Sequence, residues 1–358
     1  MLKLTDYYII KKFLGTYFLC IALVVCIMVA FDASEKLDNF FDHHAPFGLI
    51  VTDYYLNFIP YFVNMFSPLF TFIAVIFFTS KLADNSEIIA MMSGGISFRR
   101  LMLPYMISAT VIALMSFYLG GYVIPKSNRV RLAFENQYVN KVKTAQARNI
   151  QLEVEPNVVA YIENFQDNSN KGTHFSLDQF DGKELVSRLT AQSIEFLGEN
   201  RWRAHSYLIR RFDGMTEHLQ SGTALDTIIN IQPEDFFIVK GQSEQMKIYQ
   251  LKNYLDKQKS RGVEGIKDFE IEYYNRFAMP FAAFILTIIG VSLSARKRKG
   301  GIGLNIGLGL LLSFSYILFS GMTASLATTS SLSPAIAVWI PNAVFALIAA
   351  YLYIRAAK

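Results

Sequence analysis

Apolar residues along the chain collect into five uncharged runs: Phe13–Phe31, Tyr54–Ser80, Leu101–Pro125, Phe277–Ala295 and Gly300–Ile354. None contains an Asp, Glu, Lys, Arg or His. A bilayer core of roughly 30 Å is crossed by about 20 apolar residues in a helix. Each of the first four runs therefore suffices for one span. The fifth is too long for one crossing and is predicted to fold back at Thr328–Pro334 (TTSSLSP), which gives six spans.

Between the third and fourth runs the periodicity changes. Asn149–Glu155 sets Ile150, Leu152 and Val154 against Gln151, Glu153 and Glu155, the period-2 signature of a half-buried strand. Further strand-like runs follow at Val158–Phe165, His174–Phe180, Glu184–Leu197, Arg201–Phe212, Thr216–Thr223 and Thr227–Ile231. Turn signals separate them at Asp167–Asn170, Asp181-Gly182, Gly198–Asn200 and Asp213-Gly214. Short adjacent strands with no helix between them predict an antiparallel sandwich, open barrel or jelly roll. After Pro233, residues 247–261 place Ile248, Leu251, Tyr254 and Leu255 on one helical face, an amphipathic helix suited either to the bilayer surface or to the sheet. Residues 268–276 then lead into the fourth span.

Charge orients this arrangement. The 52% hydrophobic content, mean hydropathy of +0.28 and net charge of +5 conceal an asymmetry between loops. Lys3, Lys11 and Lys12, then Lys81, Arg99 and Arg100, then Arg296–Lys299, then Arg355 and Lys358 fall on one side, against Asp6, Asp84 and Glu87. The first loop, Asp32–Asp53, carries five acidic residues and only Lys36. The excess of basic residues predicts cytoplasmic termini, with residues 126–276 on the far side. The first apolar run exceeds the usual length of a signal-peptide core and lacks a small-x-small cleavage site, so it is expected to be retained as a helix. Cys20 and Cys26 share that helix six positions apart and cannot pair with each other.

Several chemistries find no support. There is no G-x-x-x-x-G-K-[ST] sequence, so no P-loop is expected. The glycine-rich Gly300–Gly309 stretch lacks the lysine. Its Gly303 and Gly307 have the small-xxx-small spacing that lets membrane helices approach closely. The five histidines lie outside the spans, and His43-His44 has no further ligand at metal spacing. No catalytic constellation, cofactor or nucleic-acid partner is expected. The absence of ionisable residues within the runs also disfavours ion-coupled transport, so any transport is expected to draw its energy from a partner.

The segment between the second and third spans, residues 81–100, suggests that partner. Asn85 or Ser86 is placed to cap a short helix that carries Glu87, Ile88, Ala90, Met91 and Met92 and stops at Gly94-Gly95. It is either an ordinary connector or a helix that docks into a cytoplasmic ATPase. The stretch Ser86–Ser97 (SEIIAMMSGGIS) resembles the cytoplasmic loop of the LptF/LptG (YjgP/YjgQ) family of lipopolysaccharide-export permeases. Asp6–Phe13 is similar to that family's amphipathic lead-in, and Tyr274–Pro280 (YNRFAMP) to the signature opening its fourth span. Gly307, Tyr316, Pro334 and Pro341 follow its ending.

The resemblance implies six transmembrane helices with an inserted all-β, jelly-roll-like periplasmic domain. The expected divisions are 1–125, 126–276 and 277–358. It implies an inner-membrane half-transporter that pairs with a second permease subunit of the family and recruits a cytoplasmic ABC ATPase dimer. Such a subunit extracts lipopolysaccharide and passes it to a periplasmic bridge protein of jelly-roll fold. Ser86, Glu87, Ala90, Met91 and Gly94 would form the ATPase contact. The first and fifth spans would line a lateral gate, with Gly303 and Gly307 in its packing. Ile150, Leu152 and Val154 would face the substrate. Some members carry a basic cluster after the first span, suited to lipid A phosphates; this chain has Lys36 alone there, so either Lys36 serves in substrate binding or phosphate recognition lies elsewhere. A non-transporting scaffold whose β domain binds periplasmic proteins or polysaccharide is the second reading. A lipid-modifying membrane enzyme is the third.

Overall fold

The computed structural model describes residues 3–139, 146–166, 169–182, 184–214, 216–233, 241–260, 266–295, 301–330 and 332–357. The basic loop Arg296–Lys299, the Asp167-Asn168 turn and the Gly262 helix stop lie outside the described residues. The chain divides into two compact units. The first is residues 1–140, 244–248 and 267–358, and the second is residues 141–243 and 249–266.

In the first unit, α1 (Leu4–Asp42) is followed by α2 (Phe47–Leu49), a π-helical turn (Ile50–Tyr55), α3 (Leu56–Met65), α4 (Ser67–Asp84) and α5 (Glu87–Ser93). Next come α6 (Phe98–Tyr118), a second π-helical turn (Leu119–Val123), α7 (Ile124–Tyr138), the second half of the short α8 (Gln242–Gln245), α10 (Lys267–Ser294), α11 (Gly301–Thr329) and α12 (Pro334–Ala357). Among the described residues, six helical segments are long and apolar enough to cross a membrane, as expected. The fold-back between the last two falls in the expected turn.

Two expected boundaries move. The acidic stretch after the first run is not a loop, because α1 continues to Asp42. Asp32 and Lys36 form an i,i+4 ion pair at 3.0 Å. Phe40 then packs on Tyr54 and Phe134, with ring centroids 5.6 and 6.0 Å apart. An aromatic anchor of this kind outweighs the local polarity. Likewise α6 does not end near Pro125. The chain remains helical through the π turn at buried Gly120 and Gly121 to Tyr138, and α7 packs on α3. Residues 126–139 therefore belong with the membrane helices and not with the insert. At the other boundary α10 starts at Lys267, ten residues before its apolar run.

The second unit is a six-stranded antiparallel sheet with strand order β1-β2-β3-β4-β5-β6. Its strands are β1 (Gln146–Glu155), β2 (Val158–Gln166), β3 (Lys171–Asp181), β4 (Glu184–Gly198), β5 (Arg201–Asp213) and β6 (Thr216–Ile228). The expected inserted all-β domain is present, and the described strands follow chain order. The first run expected after Thr216 continues without a break to Ile228, and Ile229–Ile231 of the second run lie beyond the strand. Gly182 and Gly214 adopt positive φ (62° and 56°) at the two Asp-Gly turns, the conformation that tight hairpins need. One face is apolar: Leu152, Val154, Ile162, Phe175, Ile194 and Trp202 pack together, and the Trp202 indole N–H donates to the Ile231 carbonyl at 3.1 Å. The amphipathic helix α9 (Ile248–Ser260) is present, with Leu251 and Leu255 covered by protein.

Candidate coupling, gate and substrate surfaces

The short helix α5 leaves α4 through a sharp turn in which Ser86 adopts φ 63°. Ser86 holds the N-cap position, but its side chain makes no capping bond. The Asn85 amide instead donates to Glu87 Oε1 at 3.1 Å. This corrects the expected cap and leaves Glu87 fixed in the first turn, where the helix dipole favours a carboxylate. Gly95, at φ 87°, ends the helix in the left-handed conformation that glycine adopts without steric cost. The sequence candidates Ser86, Glu87, Ala90, Met91 and Gly94 are thus gathered on and around one seven-residue helix. Ile88 is fully buried and Met91 packs on the same core. Ile89, Ala90 and Met92 point outward. An anchored helix that still exposes apolar side chains beside a carboxylate has an unused face.

Next to it lies a contact that apolar periodicity could not reveal. Arg100, in the first turn of α6, clasps Asp6 of α1 with both guanidinium nitrogens, Nη1 donating to Oδ1 at 2.8 Å. Asp6 is buried, and its Oδ2 also takes the Lys3 backbone N–H at 2.7 Å. Met91 and Ile96 line the same small cavity as this pair. Residues 91–96 therefore lie against the pair that ties α6 to α1.

The spanning helices differ sharply in how much of their surface the chain covers. The apolar window of α4 is 78% buried, but that of α1 is 11% and that of α11 is 22%. Both pack on α4, and α1 also on α6. Leu19, Leu23 and Ile27 on α1, and Leu304, Leu308, Leu311, Leu318 and Met322 on α11, are left open. Gly303 and Gly307 lie in open space, since a side-chain carbon added at either would meet no atom within 4 Å. Among the described residues they make no close side-chain contact. The close approaches are made by Gly309 against Ile76 and by Gly290 of α10 against Val75.

Lys36 is already matched. Its ammonium lies 3.0 Å from Asp32 and 3.7 Å from Glu135. It also donates to the Tyr54 hydroxyl, which donates to Asp32 at 3.0 Å. A phosphate arriving here must displace two carboxylates. Nearby, Arg131 lies over the Tyr61 ring at 4.9 Å. A second buried ionic group, not anticipated from the sequence, surrounds a cavity of about 200 Å3 lined by Tyr61, Asn64, Glu244, Glu272 and Arg276. Arg276 donates to Glu272 at 2.9 Å and to the Met246 carbonyl at 2.6 Å. Burial, reinforced by the charge of Glu272, pushes the Glu244 carboxyl above the usual carboxylate range. The i,i+4 spacing of Glu272 and Arg276 was the available signal.

In the sheet, Leu152 and Val154 are buried and Ile150 is half-buried, while Glu153 lies on the opposite face.

Three spans, a six-stranded sheet and three more spans, with α1 and α11 largely uncovered by the rest of the chain, define a polytopic membrane protein with an inserted β domain. The family model described as "Lipopolysaccharide export system permease LptF/LptG" matches residues 7–355, and the chain belongs to that family. It is similar to the lipopolysaccharide export system permease protein LptG of Escherichia coli strain K12, 21% identical over 306 residues that cover 84% of each chain. The same figures hold for LptG of Escherichia coli O6:H1 strain CFT073. The chain is accordingly an inner-membrane permease of the lipopolysaccharide export system.

Proposed function

We propose that this chain is one half of an ATP-driven lipopolysaccharide exporter, powered by a cytoplasmic ABC ATPase dimer that docks on α5. The observation that carries this reading is the geometry of α5, pinned by Ile88 while Glu87, Ile89, Ala90 and Met92 remain available. Ser86 and Gly94 bound the docking surface and Met91 ties it to the core. The Asp6–Arg100 clasp then carries movement of α5 to α1. Together, α1 and α11 offer the open apolar faces that a second permease subunit would cover and that a lateral gate needs. Gly303 and Gly307 give that subunit's helices close access. The chain itself needs no nucleotide site.

The distribution of basic residues supports cytoplasmic termini and a periplasmic β domain. Cysteine substituted at Ser169 is expected to react with an impermeant reagent in spheroplasts, and cysteine at Lys299 only after lysis. The reverse pattern would overturn this orientation.

Acyl chains travelling through water would expose about 0.8 kcal/mol per methylene, so the apolar face of the sheet is the favoured route to a periplasmic bridge protein. Ile150, Leu152 and Val154 contribute to that face. Lys36 takes part in substrate binding by exchanging Asp32 and Glu135 for a phosphate. A photo-crosslinker at Leu152 is expected to capture lipopolysaccharide in an ATP-dependent manner, and one at Glu153 far less. Equal capture at both positions, or capture indifferent to ATP, would remove β1 from the route.

A further inference from the structure

A groove of about 420 Å3 runs between α6, α10 and α12, and none of its lining residues belongs to α1, α5 or α11. Its walls are apolar: Met102 and Leu103 of α6, Ile288 of α10, and Ala346, Ala350 and Tyr353 of α12. Ala346 and Ala350 are exposed and one turn apart, so the helix presents almost no side chain there, and the groove opens sideways. From Ala346 to Tyr353 is seven residues, or about 10 Å of helix. That is roughly two-thirds of the half-thickness of a ~30 Å hydrocarbon core.

The mouth of the groove differs chemically from its walls. Arg99 stands there, in the first turn of α6. Successive helix residues point about 100° apart, so while Arg100 turns to Asp6, Arg99 turns to the groove. Arg99 is exposed and has no ion-pair partner among the described residues. Arg99 is the one charged residue in the lining, and a cation at the polar edge of an apolar slot, open to the bilayer, matches a molecule with a negative head and a hydrocarbon tail. We propose that this groove is a binding site for an anionic glycerophospholipid, which lays one acyl chain between α6 and α12 and sets its phosphate on Arg99. Met102 supplies an adaptable wall for chains of differing unsaturation. The occupied site would brace α6, whose first turn also holds the Asp6–Arg100 clasp. It does not depend on the docking or gate reading.

The test uses the full-length protein, purified in detergent with whatever subunits accompany it. It is titrated with phosphatidylglycerol or phosphatidylcholine of identical chains, and bound lipid is counted by native mass spectrometry. The wild type should take up its first phosphatidylglycerol at about fivefold lower concentration than phosphatidylcholine, the effect of one cation on an anionic head group. Arg99→Gln should abolish that preference, and Arg99→Lys should retain most of it. Ala346→Leu combined with Ala350→Leu fills the groove from its open side. This variant should lose tight uptake of both lipids while its helicity and monodispersity stay unchanged. An unchanged preference in Arg99→Gln, or unchanged uptake in the filled variant, overturns the proposal. Efficient crosslinking of a Leu103→Cys variant to another protein chain in native membranes would do so too, by assigning the groove to a protein helix.

Discussion

Glu87→Lys is expected to weaken docking and stimulation of the partner ATPase at least tenfold, about 1.4 kcal/mol, while the protein remains folded and inserted. Glu87 is half-buried, accepts one hydrogen bond from Asn85 and lies close to the Tyr8 hydroxyl. It takes part in no ion pair among the described residues, so reversing its charge strands no buried counter-ion. The local penalty is the lost helix-dipole interaction, about 0.3–1 kcal/mol, together with the exposed contacts to Asn85 and Tyr8. The helix stays anchored because Ile88 and Met91, and not Glu87, hold it to the core. Across a docking interface the same change replaces attraction by like-charge repulsion, which costs several kcal/mol where water is excluded. ATPase activity measured with purified components, alongside a thermal melt of the permease, separates the two effects. Coupling that survives Glu87→Lys would reduce α5 to a connector between spans. Coupling lost together with the melt would assign the residue to folding.

Much of this arrangement was legible in the sequence, because the dominant signals act over short stretches. Uncharged runs long enough to cross a bilayer marked the spans, and alternation at Ile150, Leu152 and Val154 marked a strand whose buried side the structure bears out. The Asp-Gly turns and the stop at Gly94-Gly95 were equally local. What escaped depends on partners distant in the chain. Asp32–Asp42 looks like a polar loop until Phe40 finds Tyr54 and Phe134. Likewise Arg131 and Arg276 look like surface charges until the bundle buries them. The clasp between Asp6 and Arg100 joins residues 94 positions apart, beyond any periodicity. Lys36 combines both kinds of signal: Asp32, four residues before it, was a visible partner, whereas Glu135 is brought to it only by the fold. The glycines of α11 show why spacing alone does not determine packing. Gly303 and Gly307 have the motif, but within this chain Gly309 makes the contact.

The strongest steric effect is expected at Gly290. A side-chain carbon added there would sit 2.4 Å from Val75 Cγ1 and 3.2 Å from Val75 Cβ. Val75 is fully buried in the core that joins α4 to α10, and its branched side chain has few alternative rotamers. Relief therefore requires α4 and α10 to separate. Overpacking of this kind costs about 1–3 kcal/mol, offset by at most about 1 kcal/mol of helix propensity gained on replacing glycine with alanine. Gly290→Ala should lower the melting temperature in detergent by several degrees, and Gly290→Leu should fail to accumulate. The contrast lies on α11. Alanine at Gly303 or Gly307 meets no atom of the described residues within 4 Å, so the isolated subunit should melt at or slightly above the wild-type temperature. If those glycines serve a close contact with the second permease subunit, the same substitutions should instead weaken assembly of the pair. A Gly290→Ala variant as stable as the wild type would show that α4 and α10 are not packed as tightly as this contact requires.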